Sequence, residues 1–212
     1  DLAVITRHAL RNETFRTIVS TRMAPLSFEA LGRDVVLHNT NRLLSGFPGA
    51  DGVKTGTTAA AGACLIASAT RDEHKLIAVV LHSGNRWNES ARLLEWGFAN
   101  FRLATLAGRG EVVVEKPVRA GKSLTVPLAV AGDLTTVLPR SQQELPGLDL
   151  HVQEGITAPL KKGQPLGRAA IKEGDRVLSE AMLVAATDVP KATWLDYLYR
   201  ALTPLLRWVS DD

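Results

Sequence analysis

Hydrophobic residues change their spacing several times along this chain. Leu2, Ile5, Ala9 and Leu10 recur at helical intervals behind Asp1, which predicts an opening helix with Asp1 as its cap. FRTIVS over 15–20 leans toward β structure, as does DVVLH over 34–38, and the Gly/Pro-rich SGFPGADG over 45–52 predicts loop. Two runs dense in Ala, Val, Ile and Leu follow, over 62–70 and 75–83. The polar Arg71, Asp72, Glu73 and His74 between them make a largely buried antiparallel hairpin the expectation. NESARLLEWGFANF then places Ala91, Leu94, Phe98 and Phe101 on one helical face, with Asn88 or Ser90 as candidate cap and Gly108 just beyond the end.

From about 109 to 188 the texture becomes short Val/Leu runs: VVVEKPV, SLTVPLAV, TTVLP, DLHVQ and VLSEAMLVAA. Turn residues separate them at intervals that predict a small all-β sandwich. Charges in that stretch cancel, ten against ten, and no chemistry is legible in it. The final TWLDYLYRALTPLLRWV lines up Trp194, Leu198, Leu202, Leu205 and Val209 opposite Asp196, Arg200, Thr203 and Arg207. This predicts an amphipathic helix interrupted late by Pro204, a candidate interfacial membrane anchor or a helix docked on protein. Its own charges balance, so the tail alone offers anionic lipid little attraction. The expected class is α+β, divided as 1–107, a β-sandwich spacer over 108–188, and the helix over 189–212.

Composition narrows the partners. With 25 basic and 22 acidic residues scattered along 212, and 45% hydrophobic, the chain lacks the basic stripe that nucleic acid requires. Cys64, without a second cysteine to pair with, reads as a small buried hydrophobe. His8, His38, His74, His82 and His151 are dispersed, so no metal is expected. SGFPGADGVKTG lacks the order of a phosphate loop, and no nucleotide or other cofactor is expected.

The informative stretch is HNTNRLLSGFPGADGVKTGTTAAAG, where Lys54, Thr55 and Gly56 follow Asp51-Gly52 and precede Thr57 and Thr58. Lysine supplies a fixed cation, threonine a hydroxyl donor, and glycine lets a ligand approach the backbone and pair with a strand edge. In order along the chain stand N-x-N-x-L-L, D-G-V-K-T-G-x-T, A-S-A-T, a hairpin, a helix carrying W-G-F, a β-domain and an amphipathic tail. This succession resembles the low-molecular-mass D-alanyl-D-alanine carboxypeptidases, penicillin-binding proteins of the serine peptidase type.

The resemblance implies an acyl-enzyme hydrolase that removes the terminal D-alanine of peptidoglycan pentapeptides and is inhibited by β-lactams, working on the outer face of the bacterial cytoplasmic membrane. It implies Lys54 beside the serine, Thr55 and Gly56 on the substrate, the backbone N–H of Thr57 in the oxyanion hole, and Arg86 on the substrate carboxylate. It also implies the motifs S-x-x-K and S-x-N, which this chain does not carry in the family's order. Ser68-Ala-Thr-Arg71 ends in an arginine that cannot act as a base, and Ser83-Gly84-Asn85 follows K-T-G rather than preceding it. The expectation is therefore that the nucleophile lies in an N-terminal half, on a second chain or a missing segment, and that these residues alone are inactive. A non-catalytic, membrane-associated peptide-binding or scaffolding module is the alternative.

Overall fold

The computed structural model describes residues 1–28 and 33–199, which fall into two compact units. The first comprises Asp1–Arg102 with Pro139–Ser141, and the second Leu103–Leu138 with the described residues from Gln142 onward. The class is α+β.

In the first unit, helices α1 (Leu2–Ala9) and α2 (Glu13–Ser20) precede a hairpin of β1 (Met23–Phe28) and β2 (Arg33–His38). A single turn of helix, α3 (Leu43–Gly46), then leads into the strands β3 (Ala50–Thr58), β4 (Gly62–Arg71) and β5 (His74–Val80). These three form an antiparallel sheet in the order β3-β4-β5, and α4 (Arg86–Asn100) covers it. Leu43, Leu65, Ala67, Ala69, Ala78, Leu94 and Phe98 make its core. Each fully buried leucine there contributes about 2 kcal/mol.

Several expectations meet corrections. Residues 13–20 are helical although β-branched. Asn12 caps the helix by accepting from Phe15 N at 3.0 Å, and Thr17 satisfies its hydroxyl within the helix on Glu13 O. Asp1 precedes α1 but makes no side-chain cap, and Leu2 and Ile5 stay exposed. α4 starts at Arg86, before Asn88 and Ser90, and Ser90 is fully buried within it. The helix ends at Asn100, well short of Gly108, because Phe101 turns extended and opens strand β6 (Phe101–Ala107). Strand β3 begins at Ala50, so Asp51 and Gly52 lie in a strand rather than in a turn.

The hairpin of β4 and β5 is present, turning at Asp72 and Glu73, both at positive φ as a two-residue turn of the primed type requires. The approach to β3 is tight. Gly49 sits at φ +82°, and a Cβ on it would stand 2.4 Å from the Thr70 carbonyl oxygen. Gly49→Ala thus carries both left-handed strain and a clash with backbone, and is expected to cost about 3 kcal/mol in a denaturant melt. A loss under 1 kcal/mol would show that this turn is not fixed as described.

The second unit is all β over its described strands. Strands β7 (Val112–Pro117), β8 (Thr125–Val130), β10 (Leu148–Val152), β11 (Pro165–Glu173) and β12 (Arg176–Ala185) form one sheet, in the order β10-β11-β12-β8-β7. β6 pairs with β9 (Leu134–Pro139). Ala107 and Leu134 from that pair pack with Val130, Ala169, Ile171 and Leu183 of the larger sheet. A second cluster, including Val126, Leu128, Leu166 and Val189, fills the other end. Of the expected terminal helix, residues 194–199 are helical, and Leu202, Thr203, Pro204, Leu205, Arg207 and Val209 lie outside the described residues, as does Arg200. No helix among the described residues is long and apolar enough to cross a membrane.

Candidate active site

β3 lies at the rim of its sheet, paired with β4 on one side and with no strand on the other among the described residues. Lys54, Thr55, Gly56 and Thr57 follow one another along this rim, opposite Ile66, Leu65, Cys64 and Ala63. Lys54, Gly56 and Thr57 are exposed. Beyond its two chain neighbours, no atom lies within 4 Å of where a Cβ on Gly56 would stand, so internal packing does not explain its glycine. The Lys54 ammonium donates to the Thr55 carbonyl oxygen. Cys64 is part-exposed rather than buried, its thiol donating to Ala61 O at 3.3 Å where the strand leaves the turn.

Two asparagines brace the start of the rim. Asn41, 3% exposed, donates to Gly52 O at 2.8 Å while its oxygen accepts from Leu43 N at 3.1 Å. Asn39 accepts from Asn41 N at 2.9 Å and donates to Thr21 O at 3.0 Å. Between them the Thr40 and Thr55 hydroxyls share a hydrogen bond of 2.7 Å, which fixes the rotamer of Thr55. The N-x-N spacing was visible in the sequence; its role as a clamp on the K-T-G strand becomes legible only with the pairing. α2 adds the other wall. A Cβ on Gly52 would stand 3.1 Å from both Val19 Cγ2 and Ser68 Oγ.

Beneath the strand lies a polar network that sequence reasoning missed. Asp51 accepts from the hydroxyls of Ser68 at 2.5 Å and Thr70 at 2.6 Å, and pairs with the Lys75 ammonium. Burial alone would raise its carboxyl, but the hydrogen bonds from Lys75, Ser68 and Thr70 outweigh that effect and hold it below the usual carboxylate range. Asp51 and its partners come from three strands, and only the register of those strands joins them. Ser68 is wholly buried, which removes Ser68-Ala-Thr-Arg71 as a nucleophile on steric grounds as well. Arg71 instead pairs with Glu95 at 2.8 Å and lies over the rings of Phe47 and Phe98. His74 is buried against Phe98, ring centroids 5.7 Å apart and edge to face. Its burial, with the Arg140 cation nearby, lowers its pKa and favours the neutral ring.

Arg86 reaches the rim from the first residue of α4. Its Nη1 donates to Gly56 O and Thr57 Oγ1, each at 2.9 Å, and to Cys64 O at 3.2 Å, and its guanidinium carbon lies 4.8 Å from the centroid of the Trp87 ring. The turn that aims it is Ser83-Gly84-Asn85. Ser83 N donates to Ala63 O at 2.9 Å, Ser83 Oγ accepts from Asn85 N at 3.1 Å, and Arg86 N donates to Ser83 O at 3.3 Å. The S-x-N lookalike thus has a structural job. Lys54, Thr55, Gly56, Thr57 and Arg86 share one rim, which presents two cations and two hydroxyls along a strand edge.

Residues 1–85 match the family described as D-alanyl-D-alanine carboxypeptidase. Residues 101–191 match the one described as penicillin-binding protein 5, C-terminal domain. D-alanyl-D-alanine carboxypeptidase DacF of Bacillus subtilis is 30% identical over 207 residues, 95% of this chain and 53% of its own length. D-alanyl-D-alanine carboxypeptidase DacC of Escherichia coli is 36% identical over 71% of this chain and 39% of its own. Penicillin-binding protein 5 from Haemophilus influenzae superposes with a TM-score of 0.63 at 30% identity, covering 89% of this chain and 55% of that one. The chain therefore spans about half or less of the length of these relatives, 53% of one and 39% of the other. Residues 1–85 thus belong to the D-alanyl-D-alanine carboxypeptidase family and residues 101–191 to the penicillin-binding protein 5 C-terminal domain family, and similar proteins follow the chain through both units.

Proposed function

We propose that this chain supplies the substrate-carboxylate and oxyanion side of a serine D,D-carboxypeptidase site, whose serine and base stand on residues outside it. The observation that carries this reading is the open rim of β3, where Thr55 is held by Thr40 and Arg86 is aimed at Gly56 and Thr57. A peptide ending in a carboxylate lies along β3 in β-strand fashion, with backbone pairing for affinity and Gly56 allowing close approach. Its terminal carboxylate meets the Thr55 hydroxyl and the Arg86 guanidinium, a cation already fixed by three bonds from Nη1. Serine attacks the carbonyl of the last amide bond and gives its proton to the base. The developing oxyanion is stabilised by the backbone N–H of Thr57, and Lys54 raises the local positive potential. The amide nitrogen leaves with a proton as free D-alanine, and water later releases the acyl group from the serine.

On this reading peptidoglycan pentapeptide is the substrate, β-lactams acylate the same serine, and the chain alone is inert. The tail over 189–212 attaches the protein peripherally to the outer face of the cytoplasmic membrane, and the β-unit between acts as a spacer. Arg86→Gln tests the carboxylate grip in a protein that also carries the serine half. A peptide with a free C-terminal carboxylate is expected to lose roughly 10- to 100-fold in kcat/KM, while the corresponding amide changes little. Equal losses for both peptides would remove Arg86 from that role.

A further inference from the structure

The charges of the β-unit cancel in sequence but separate in space. Antiparallel pairing of β8 with β7 and β12, and of β11 with β10 and β12, brings three connections to one end of the five-stranded sheet: 118–124, 153–164 and 186–193. Backbone bonds knit them together. Lys122 N donates to Pro190 O at 2.7 Å, Ala192 N to Ala120 O at 2.8 Å, Leu160 N to Val189 O at 2.9 Å and Ala158 N to Arg119 O at 2.9 Å. Lys162 N donates to Asp188 Oδ1 at 2.6 Å. This end carries the exposed Arg119, Lys122, Lys161, Lys162 and Lys191 against the exposed Glu154 and Asp188, with the half-buried Asp196 following in 194–199. At the opposite end Glu111, Asp133, Glu173 and Asp175 outnumber Arg109, Lys172 and Arg176.

Apolar side chains stand beside the cations. Leu124, in the same connection as Lys122, is 64% exposed. Residues 194–199 leave from Lys191 with Trp194 73% and Leu195 56% exposed. Cations gathered from three loops around protruding leucine and tryptophan match a bilayer surface, which offers phosphates above and acyl chains below. A soluble anion has no use for the exposed leucine and tryptophan.

We propose that this end of the β-unit is itself a contact surface for anionic lipid, with Lys122, Lys161, Lys162 and Lys191 on headgroup phosphates and Leu124 entering the interface. The proposal rests on the membrane attachment of the tail put forward above, and adds a lipid preference that the remainder of the tail, two cations against three anions once Lys191 is counted with the β-unit, does not supply.

Co-sedimentation of the full chain with phosphatidylcholine vesicles, with and without phosphatidylglycerol, tests it. The wild type is expected to prefer the anionic vesicles, and salt to erase that preference. Replacing the four lysines by glutamine is expected to weaken binding to anionic vesicles by roughly 10- to 100-fold, leaving binding to neutral vesicles and the melting temperature unchanged. Arginine at the same four positions is expected to restore it. An undiminished anionic preference in the glutamine variant overturns the proposal while leaving the tail reading intact. A chain ending at Ala192 that binds neutral vesicles as well as the wild type does overturns the tail reading. Binding of heparin without any vesicle preference overturns the proposal in favour of a soluble polyanion.

Discussion

Asp51→Ala is expected to destabilise the first unit by about 3 kcal/mol, although Asp51 is not among the residues proposed to meet substrate. The carboxylate is the shared acceptor of Ser68, Thr70 and Lys75, and its removal leaves two inward hydroxyls and a part-buried ammonium without their anion. Because Asp51 is the second residue of the strand that carries Lys54 and Thr55, loss of the network loosens the site along with the fold. Asp51→Asn keeps the shape but not the charge and is expected to fall between wild type and alanine. The pH dependence follows from the direction of the shift. A carboxyl held below its usual value contributes stability that is present in full above the unfolded value of 3.8 and is lost as pH falls through the lower folded value. Chemical denaturation from neutral to acid pH should therefore show a larger stability loss in the wild type than in Asp51→Ala, where the contribution of this carboxyl is missing and those of Glu95 and Asp149 remain. Parallel curves for the two proteins would mean that the network carries no weight.

Lys54→Gln is the complementary case, with a large effect on chemistry and little on stability. Lys54 is exposed and its ammonium meets only the Thr55 carbonyl among the described residues, so the melting midpoint should shift by no more than about 0.5 kcal/mol equivalent. In a protein that includes the serine half, acylation by penicillin is expected to slow by roughly 100- to 1,000-fold, the scale on which a fixed electrostatic group acts in such sites. A slowing under tenfold would show that the lysine is not part of the charge environment of the reaction.

The sequence made the central elements legible where one signal was dense. The hairpin of β4 and β5 announced itself by two apolar runs around a four-residue polar gap, and α4 by Leu94 and Phe98 at helical spacing. Lys54, Thr55 and Gly56 were legible as a motif because their chemistry depends on local order along one strand. What failed was whatever depends on partners distant in sequence. α2 read as β because local propensity counted its β-branched residues and missed the Asn12 cap and the packing of Val19 near Gly52. Asp51 read as a loop residue because it closes a Gly/Pro-rich stretch and precedes Gly52. Its strand position follows from pairing with β4, where a register shift between Ala50 and Gly52 admits it. The clustering of Lys122, Lys161 and Lys191 was invisible for the same reason, since the charges over 109–188 and over 189–212 each sum to zero while the topology sorts them by end.

Fluorescent penicillin labelling, followed by a denaturing gel and intact-mass measurement, decides whether the K-T-G rim is one side of an acyl-enzyme site. It should be run on this chain alone and on a protein joining it to a serine-bearing half. The longer protein should gain one penicilloyl adduct on a serine outside these 212 residues, and the chain alone should gain none. A folded longer protein that stays unlabelled, or an adduct on this chain by itself, would contradict the division of the site described here.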